Sequence, residues 1–450
     1  MLSSFILIIF LAALVQIDCK KRNIDLVTFA TAMAIPYFGV WPIIVLSSKF
    51  HVPPSEYSTI IVNFIVIISY LFLWGINKWI KKISSFSSYK KFVELDQFIV
   101  KMQHIKLRYI IYLWVFMLLF TAYGYMAFGT LRVIDIAGFS SGEVNLPFWY
   151  LVIFSSKKIF IVAIIAALSI KKLSGSKYKY IININLILVI IMSLLYGKAS
   201  IVSSLFLYFI FLLKIKQKDI LNFRTIFSSI LAVLFLVVCF NFFQHIRSAL
   251  LSPNVYSKGE SAATIFEQRL QSLETADLVE LDKVGGFMLE RPSVWKFNEM
   301  IYRWQFVDPT FASIPFGKLL VSSWIGMVPR TIWKDKPVNN LQREALYPFY
   351  GKTFSLFQAP SLLGYVFADF SLLCLFVFPF MMICLLMLSA YISLLFNYFS
   401  VSALFITSGA ILNMLGTEAN YDSYVLILRN SLFLALVWSV VGILPRKSRQ

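Results

Sequence analysis

Apolar runs of nearly membrane-spanning length dominate this chain and leave few other folds open to it. A helix needs about 20 apolar residues to cross the hydrocarbon core of a bilayer, and all of its backbone groups must be hydrogen-bonded internally. Eleven runs approach that length, at about 2–17, 26–46, 57–76, 109–127, 147–169, 180–196, 199–213, 223–243, 372–396, 402–417 and 424–444. The sequence therefore predicts an all-α, polytopic integral membrane protein with about eleven transmembrane helices.

Composition excludes a soluble globular protein. Hydrophobic residues make up 59% of the chain and charged residues 14%, and the mean hydropathy is +0.78; soluble domains are less apolar and more charged. A net charge of +19 is also found in proteins that bind nucleic acid. Its basic residues, however, lie in short gaps between apolar runs, as in the cytoplasmic loops of membrane proteins, so no nucleic-acid partner is expected.

The distribution of lysine and arginine predicts the orientation. With the N-terminus outside, 22 of the 41 basic residues fall in the gaps 18–25, 77–108, 170–179 and 214–224 and in the C-terminal tail. The short gaps on the other side hold only three, Lys49, Arg132 and Lys198. Because short cytoplasmic loops carry the excess of positive charge, the C-terminus is predicted to be cytoplasmic and the long loop extracytoplasmic.

The predicted organisation has three parts. An N-terminal bundle of about eight spans covers 1–243, an extracytoplasmic loop domain covers 244–371, and a C-terminal bundle of about three spans covers 372–450. Within the loop, the spacing of apolar residues predicts one helix from Ala262 to Asp282 and an aromatic-rich helical piece from Ser293 to Phe306 on the membrane surface.

Five cations from separate places point to the outer face and are candidates for binding a diphosphate: Lys198, Arg247, Arg330, Lys336 and Arg429. Guanidinium groups bind phosphate oxygens through two donors and keep their charge. The lysines could instead reach lipid headgroups. Arg429 lies inside an apolar run, where a cation is costly unless it is paired or serves a site, and Glu418 or Asp422 could pair with it.

A general base would have to come from the acidic and histidine side chains near these cations. The candidates are His245, Asp335, Glu344, Glu418 and Asp422, of which Glu418, His245 and Asp335 are the predicted catalytic residues. The sequence has no nucleotide-binding glycine loop, HExxH helix or GxSxG turn, and its early outer loops have only isolated acids. No cofactor and no metal ion is therefore predicted.

Several segments together resemble the O-antigen or oligosaccharide repeat-unit polymerases of the Wzy type. They lie between about Leu194 and Leu444: Tyr196-Gly197-Lys198-Ala199-Ser200, Phe243-Gln244-His245-Ile246-Arg247, Met327-Val328-Pro329-Arg330 through Trp333-Lys334-Asp335-Lys336-Pro337, Ala359-Pro360-Ser361-Leu362-Leu363-Gly364, and Glu418 to Arg429. Lys198 departs from the arginine that relatives often carry in the first of these segments.

The resemblance implies a glycosyltransferase of the bacterial cytoplasmic (inner) membrane. It would move a growing glycan from undecaprenyl diphosphate to a new lipid-linked repeat unit, for O-antigen or capsule. Its partners would be the undecaprenyl-diphosphate-linked donor and acceptor oligosaccharides and membrane lipids, with a chain-length regulator and a flippase as further partners.

Other classes remain open on the sequence. A flippase for lipid-linked oligosaccharides would also be basic and polytopic, but two similar halves with short loops would be expected of it. An O-antigen ligase-like glycosyltransferase would carry a His-Asn-type pair that is not found in the large loop. A metal-dependent transferase would need Asp135 and Glu143 to meet at a metal, and a non-enzymatic scaffold would tolerate substitution of Arg247 or Arg330.

Overall fold

The structure is a computed structural model that describes residues 2–21, 23–40, 42–43, 56–128, 153, 156–196, 207–208, 211–212, 214–215, 297–298, 300–302, 317–328, 333, 361–396, 400–416 and 421–443. This part of the chain is helical and contains no strand, which confirms the all-α prediction for it.

Most of the long helices overlap the predicted apolar runs, and four shorter helices lie outside them. In chain order they are α1 (Leu2–Lys20), α2 (Leu26–Ala34, continued by a π-helical turn at Ile35–Val40), α3 (Glu56–Lys82), α4 (Ser87–Val93), α5 (Asp96–His104), α6 (Leu107–Phe128), α7 (Lys157–Leu173), α8 (Lys179–Tyr196), α9 (Lys318–Trp324), α10 (Leu362–Phe370), α11 (Cys374–Leu395), α12 (Ser400–Leu415) and α13 (Tyr421–Ile443).

Four stretches in the described residues are long and apolar enough to cross a membrane. They are Leu2–Lys20, Tyr57–Lys82, Ser361–Leu395 and Tyr421–Val440. A fifth is formed if α5 and the following Leu107–Tyr123, which bend by 93° at their junction, count as one span. The protein therefore has the helices of a membrane protein, while eleven spans and one large extracytoplasmic loop stay predictions.

The chain divides by its contacts into two compact units. Unit 1 contains Met1–Phe98 and Gly285–Gln450, and unit 2 contains Ile99–Val284. The predicted domain boundaries at 243 and 371 are not tested by this division and stay a prediction.

Unit 1 is a helical bundle in which α3 packs against α1 and α11, and α12 packs against α11, α13 and α2. Small polar side chains join α12 to α13: the Ser402 hydroxyl donates to the Ala435 carbonyl at 2.9 Å and lies 2.9 Å from the Ser439 hydroxyl. Gly409 allows close approach of the two helices, since a Cβ there would clash with Ser431 Oγ. Such small residues are typical of helix contacts in membranes.

A buried ionic network joins the ends of α1 and α3 to the start of α2. Lys78 Nζ lies 2.6 Å from Asp18 Oδ1, and Lys81 Nζ lies 2.9 Å from Asp25 Oδ2 and 3.0 Å from Glu94 Oε1. We call this part of unit 1 its basic end, because the last turns of α1, α3 and α4 there carry Lys20, Lys81, Lys82, Lys90 and Lys91.

Neutral hydrogen-bond donors complete the network around Asp25. Asp25 caps α2 by accepting from the backbone of Val27 at 3.0 Å and of Thr28 at 2.9 Å, and the Asn77 amide donates to it at 2.8 Å. Burial by itself would raise the pKa of the Asp25 carboxyl, but the Lys81 ammonium and these hydrogen bonds hold that pKa below its ordinary value. Its contribution to stability is therefore present above the ordinary pKa of 3.8 and is lost as pH falls through the lower folded value.

The helices of unit 2 with described bounds are α6, α7 and α8, together with the C-terminal part of α5. Both α6 and α8 pack against α7, and almost every residue of α7 between Ile159 and Ile170 is buried. Lys157 and Lys158 fall within the apolar run at 147–169, and they are the first two residues of α7. They therefore mark a helix boundary.

The gap at 77–108 is not a simple loop as its charge suggests. It contains the last turns of α3, all of α4 and α5, and the start of α6. Counting charges along the sequence assigns Lys78 and Lys81 to a loop, because the count contains no information about their pairing with buried carboxylates.

We expect Lys81→Met to lower the stability of the folded protein strongly, by about 3–5 kcal/mol, because Asp25 and Glu94 would lose their shared cation. The measurement is thermal unfolding of purified protein in detergent. Its matched control is Lys82→Met, the exposed neighbour, with an expected change within about 0.5 kcal/mol. Adding Asp25→Asn to Lys81→Met should recover part of the lost stability. Equal melting temperatures for Lys81→Met and Lys82→Met would contradict the role of the network.

Candidate functional site

The described pieces of the predicted loop domain gather at one end of unit 1. Phe297 packs on Phe367 of α10, with ring centroids 5.8 Å apart, and the Asn298 amide lies 3.5 Å from the Thr59 hydroxyl near the start of α3. Tyr365 of α10 lies 6.0 Å from the ring of Tyr421, the first residue of α13. We call this the loop end of unit 1: α9, α10 and the starts of α3 and α13.

The described part of the piece around Phe297, at 297–298 and 300–302, is helical, as the sequence predicts, while its location on a membrane surface stays a prediction. Phe297, Asn298, Met300 and Ile301 are all fully buried. The protein covers these four side chains: α10 packs against Phe297 and the start of α3 lies against Asn298.

A buried carboxylate, Asp369, holds α9 in place at this end. Its Oδ1 accepts from the Leu319 amide at 3.1 Å and its Oδ2 from the Leu320 amide at 3.0 Å. The free amides at the start of a helix carry partial positive charge, so a carboxylate stabilises them. Gly317 precedes the helix at φ 76°, a backbone conformation that glycine adopts without strain.

Helix α10 is a buried nine-residue segment between two strained serines. Every residue from Leu362 to Phe370 is buried, and Ser361 and Ser371 have positive φ values of 76° and 51°. Non-glycine residues in such conformations cost about 1–3 kcal/mol each and occur where the surrounding structure fixes them. The Ser361 hydroxyl offsets part of this free-energy cost by accepting a hydrogen bond from the Gly364 amide at 3.1 Å.

Arg429, the cation within a predicted apolar run, is on α13, which also contacts α9. It is the ninth residue of that helix, about 12 Å along the axis from Tyr421. Asn430 orients its guanidinium by accepting from Nε at 3.2 Å and from Nη2 at 3.1 Å. Both α9 and the 3₁₀ turn that follows it, Ile325–Met327, contact α13.

Three buried polar atoms at the loop end have no hydrogen-bond partner among the described residues. They are the Tyr421 hydroxyl, Asn298 Oδ1 and Asn413 Oδ1. Asn413 lies in the last turns of α12, close to the point where the Tyr424 hydroxyl donates to the Gly416 carbonyl at 3.2 Å. Buried polar groups are normally paired, and these three atoms are exceptions within the described residues.

Of the predicted site residues, the structure describes Arg429 alone. The three predicted catalytic residues, Glu418, His245 and Asp335, lie outside the described residues. So do four of the predicted diphosphate-binding cations, Lys198, Arg247, Arg330 and Lys336, and the predicted helix from Ala262 to Asp282. Asp422 is in the first turn of α13, seven residues before Arg429 and on nearly the same face.

Sequence reasoning missed Asp369, although the signal that identified Arg429 applies to it. An aspartate within the apolar stretch 362–370 is as costly as an arginine within 424–444, so it too should have been marked as a paired or functional group. Its partners are backbone amides of α9, fifty residues earlier, and no side-chain pattern could have named them.

No protein-family model, curated protein or solved structure matches this chain. In the described residues no three His, Cys, Asp or Glu side chains gather into a possible metal site.

We expect Asp369→Asn to speed hydrogen exchange at the start of α9, because the Leu319 and Leu320 amides lose a charged acceptor. Hydrogen bonds to charged groups contribute about 1.5–3 kcal/mol, so exchange there should rise by about ten- to a hundredfold. Peptides covering 317–324 can be followed by mass spectrometry. The control, Ser361→Ala, should raise exchange in the first turn of α10 and leave α9 unchanged; equal effects of both variants on α9 would show that Asp369 has no specific role.

Proposed function

We propose that this protein is a polymerase that joins undecaprenyl-diphosphate-linked oligosaccharide repeat units into a surface polysaccharide, O-antigen or capsule. The reaction would take place at the outer face of the bacterial cytoplasmic membrane, with the loop domain outside and the C-terminus in the cytoplasm. It would need neither a nucleotide sugar nor a metal ion.

One observation carries the proposal: the turn Ile325–Met327 contacts α13, the helix that holds Arg429. Arg330 comes two positions after Val328, which ends the described segment 317–328. Because only two positions separate it from a segment that contacts α13, we expect Arg330 to act on the same diphosphate as Arg429. Two of the three principal diphosphate-binding candidates, Arg330 and Arg429, would then act together.

The arrangement of charge in unit 1 supports the orientation. Described pieces of the loop domain lie at the start of α13, whereas the basic end lies at the C-terminal ends of α1 and α3. Lysines at the basic end match the cytoplasmic excess that membrane proteins show. The loop end is then extracytoplasmic, where the lipid-linked repeat units would be polymerised.

The chemistry follows from the candidate residues. An acceptor sugar hydroxyl would attack the anomeric carbon of the donor glycan, and the bond to undecaprenyl diphosphate would break. Arg247, Arg330 and Arg429, with Lys198 and Lys336 as secondary residues, would stabilise the charge that develops on the departing diphosphate. His245, Asp335 or Glu418 would take the proton of the attacking hydroxyl.

The open buried groups of the loop end suit a sugar substrate. Tyr421, Asn298 and Asn413 offer a hydroxyl and two amide oxygens that hydrogen-bond to no described residue. Sugar hydroxyls both donate and accept hydrogen bonds, and can therefore pair with such groups.

The first test is the glycan ladder in a strain that lacks the gene. Deletion should leave a single repeat unit on the final carrier, and the wild-type gene should restore the ladder. Loss of even the single unit would favour a flippase or an earlier transferase.

A second test adds a metal chelator to the polymerisation reaction. Activity is expected to persist in the chelator, and loss of activity would favour a metal-dependent transferase.

In that strain, Arg330→Ala and Arg429→Ala should each abolish the long glycans at normal protein level. Removal of one positioned charge-stabilising donor typically lowers kcat by about 10²–10³. The matched control is Lys318→Ala, an exposed cation at the start of α9 in the same loop domain, which should keep the ladder. Near-normal chain lengths with Arg330→Ala would reject the proposed diphosphate site.

The orientation has its own test by cysteine labelling in right-side-out membrane vesicles, with the four native cysteines replaced. Val321→Cys on α9, where the valine is 68% exposed, should react with a membrane-impermeant maleimide. Lys91→Cys on α4, at the basic end, should react only after the vesicles are opened. The opposite pattern would overturn the proposed location of the loop domain.

A further inference from the structure

One end of unit 2 gathers positive charge from three helices. The Gln103 side-chain amide donates to the Ser174 hydroxyl at 2.9 Å and so joins the α5–α6 junction to the turn between α7 and α8. Six cations lie around this junction, at the start of α6, the end of α7 and the start of α8: Lys106, Arg108, Lys171, Lys172, Lys177 and Lys179. We call these six residues the basic face of unit 2.

The basic face has no acidic counterpart in the described residues. Unit 2 contains no aspartate or glutamate within its described ranges, and none of the six cations forms an ion pair with a described carboxylate. The basic end of unit 1 differs, because Lys78 and Lys81 are paired there with Asp18, Asp25 and Glu94. A concentration of like charge without acids favours an anionic ligand.

Tyrosine rings hold three of the six cations while leaving N–H donors available. The distances from the charged group to the ring centroid are 5.1, 5.2 and 5.4 Å, for Arg108 on Tyr109, Lys172 on Tyr208 and Lys177 on Tyr178 respectively. A cation on a ring face keeps most of its hydrogen-bonding capacity for oxygens of a phosphate. Lys171 is used differently, since its ammonium donates to the Gln103 carbonyl at the end of α5.

The basic face borders directly on apolar surface. Tyr112, one turn into α6, is 63% exposed, and Leu119, Ile184 and Ile187 further along α6 and α8 are 65%, 57% and 57% exposed. Tyrosines next to such a surface are typical of the boundary between headgroups and hydrocarbon. Helix α5 fits the same boundary, because it bends by 93° from α6 and would lie along the surface of a membrane that α6 crosses.

We propose that the basic face of unit 2 binds the phosphate headgroups of anionic phospholipids in the membrane leaflet on its side. The cations would contact the headgroup, and the acyl chains would lie along the exposed apolar residues of α6 and α8. A soluble phosphopeptide or RNA could use the charge but would leave this adjoining apolar surface uncovered, so a lipid explains both features.

The test uses full-length protein in a zwitterionic detergent and two fluorescent lipids labelled on the acyl chain, phosphatidylglycerol and phosphatidylcholine. Wild-type protein should bind phosphatidylglycerol at least tenfold more tightly, and its affinity should fall as salt is raised. The variant Arg108→Gln/Lys172→Gln/Lys177→Gln should bind phosphatidylglycerol on the order of a hundredfold more weakly, since each basic residue near an anionic surface contributes separately.

The matched control is Lys82→Gln/Lys90→Gln/Lys91→Gln, which removes three exposed cations from unit 1 and should retain wild-type affinity. Equal loss in both triple variants would show that binding follows net charge alone, and equal wild-type affinity for the two lipids would overturn the proposal. Displacement of the labelled lipid by inorganic phosphate or by a phosphopeptide at similar concentration would also overturn it, in favour of a soluble ligand. Should the first variant fail to fold, the wild-type comparison of the two lipids still decides.

Discussion

Charge that is taken out of water must be paired inside this protein, and unit 1 depends on that requirement. Lys78 and Lys81 stand in the last turns of a helix long enough to cross a membrane, and each is neutralised by a buried aspartate from another part of the chain. The same requirement explains why Asp25 caps α2 and binds Asn77 as well as Lys81. Three helices are thereby fixed at one end before any apolar packing is considered.

The apolar runs could predict where most described helices lie, because a membrane helix is defined by length and hydropathy. Helices α6, α8 and α11 begin and end within two residues of the predicted runs. Helix α3 was predicted six residues short, since Lys78, Lys81 and Lys82 look like the end of a span. The pairing of Lys78 and Lys81 depends on Asp18, Asp25 and Glu94, and the hydropathy of one segment contains no information about partners in other segments.

The candidate site was predictable only where a charge stood out from its surroundings. Arg429 did so, and α13 carries it as expected. Its described partner, Asn430, is a neutral neighbour in sequence that no charge argument would select. The contact between the turn Ile325–Met327 and α13 joins residues about a hundred positions apart. Such a contact follows from packing around α9 and α10, where Asp369 bonds to backbone amides that have no signature in the sequence.

The structure also separates basic residues that a charge count treats as equal. Cations near the ends of spans orient a membrane protein whether they are paired or not. At the basic end of unit 1, buried carboxylates compensate two lysines, and those lysines serve the bundle itself. On the basic face of unit 2 tyrosine rings take the place of carboxylates and leave the positive charge uncompensated within the described residues. Compensated charge stabilises the fold, whereas uncompensated charge attracts an outside anion, so the two groups have different physical roles despite their similar place in the sequence pattern.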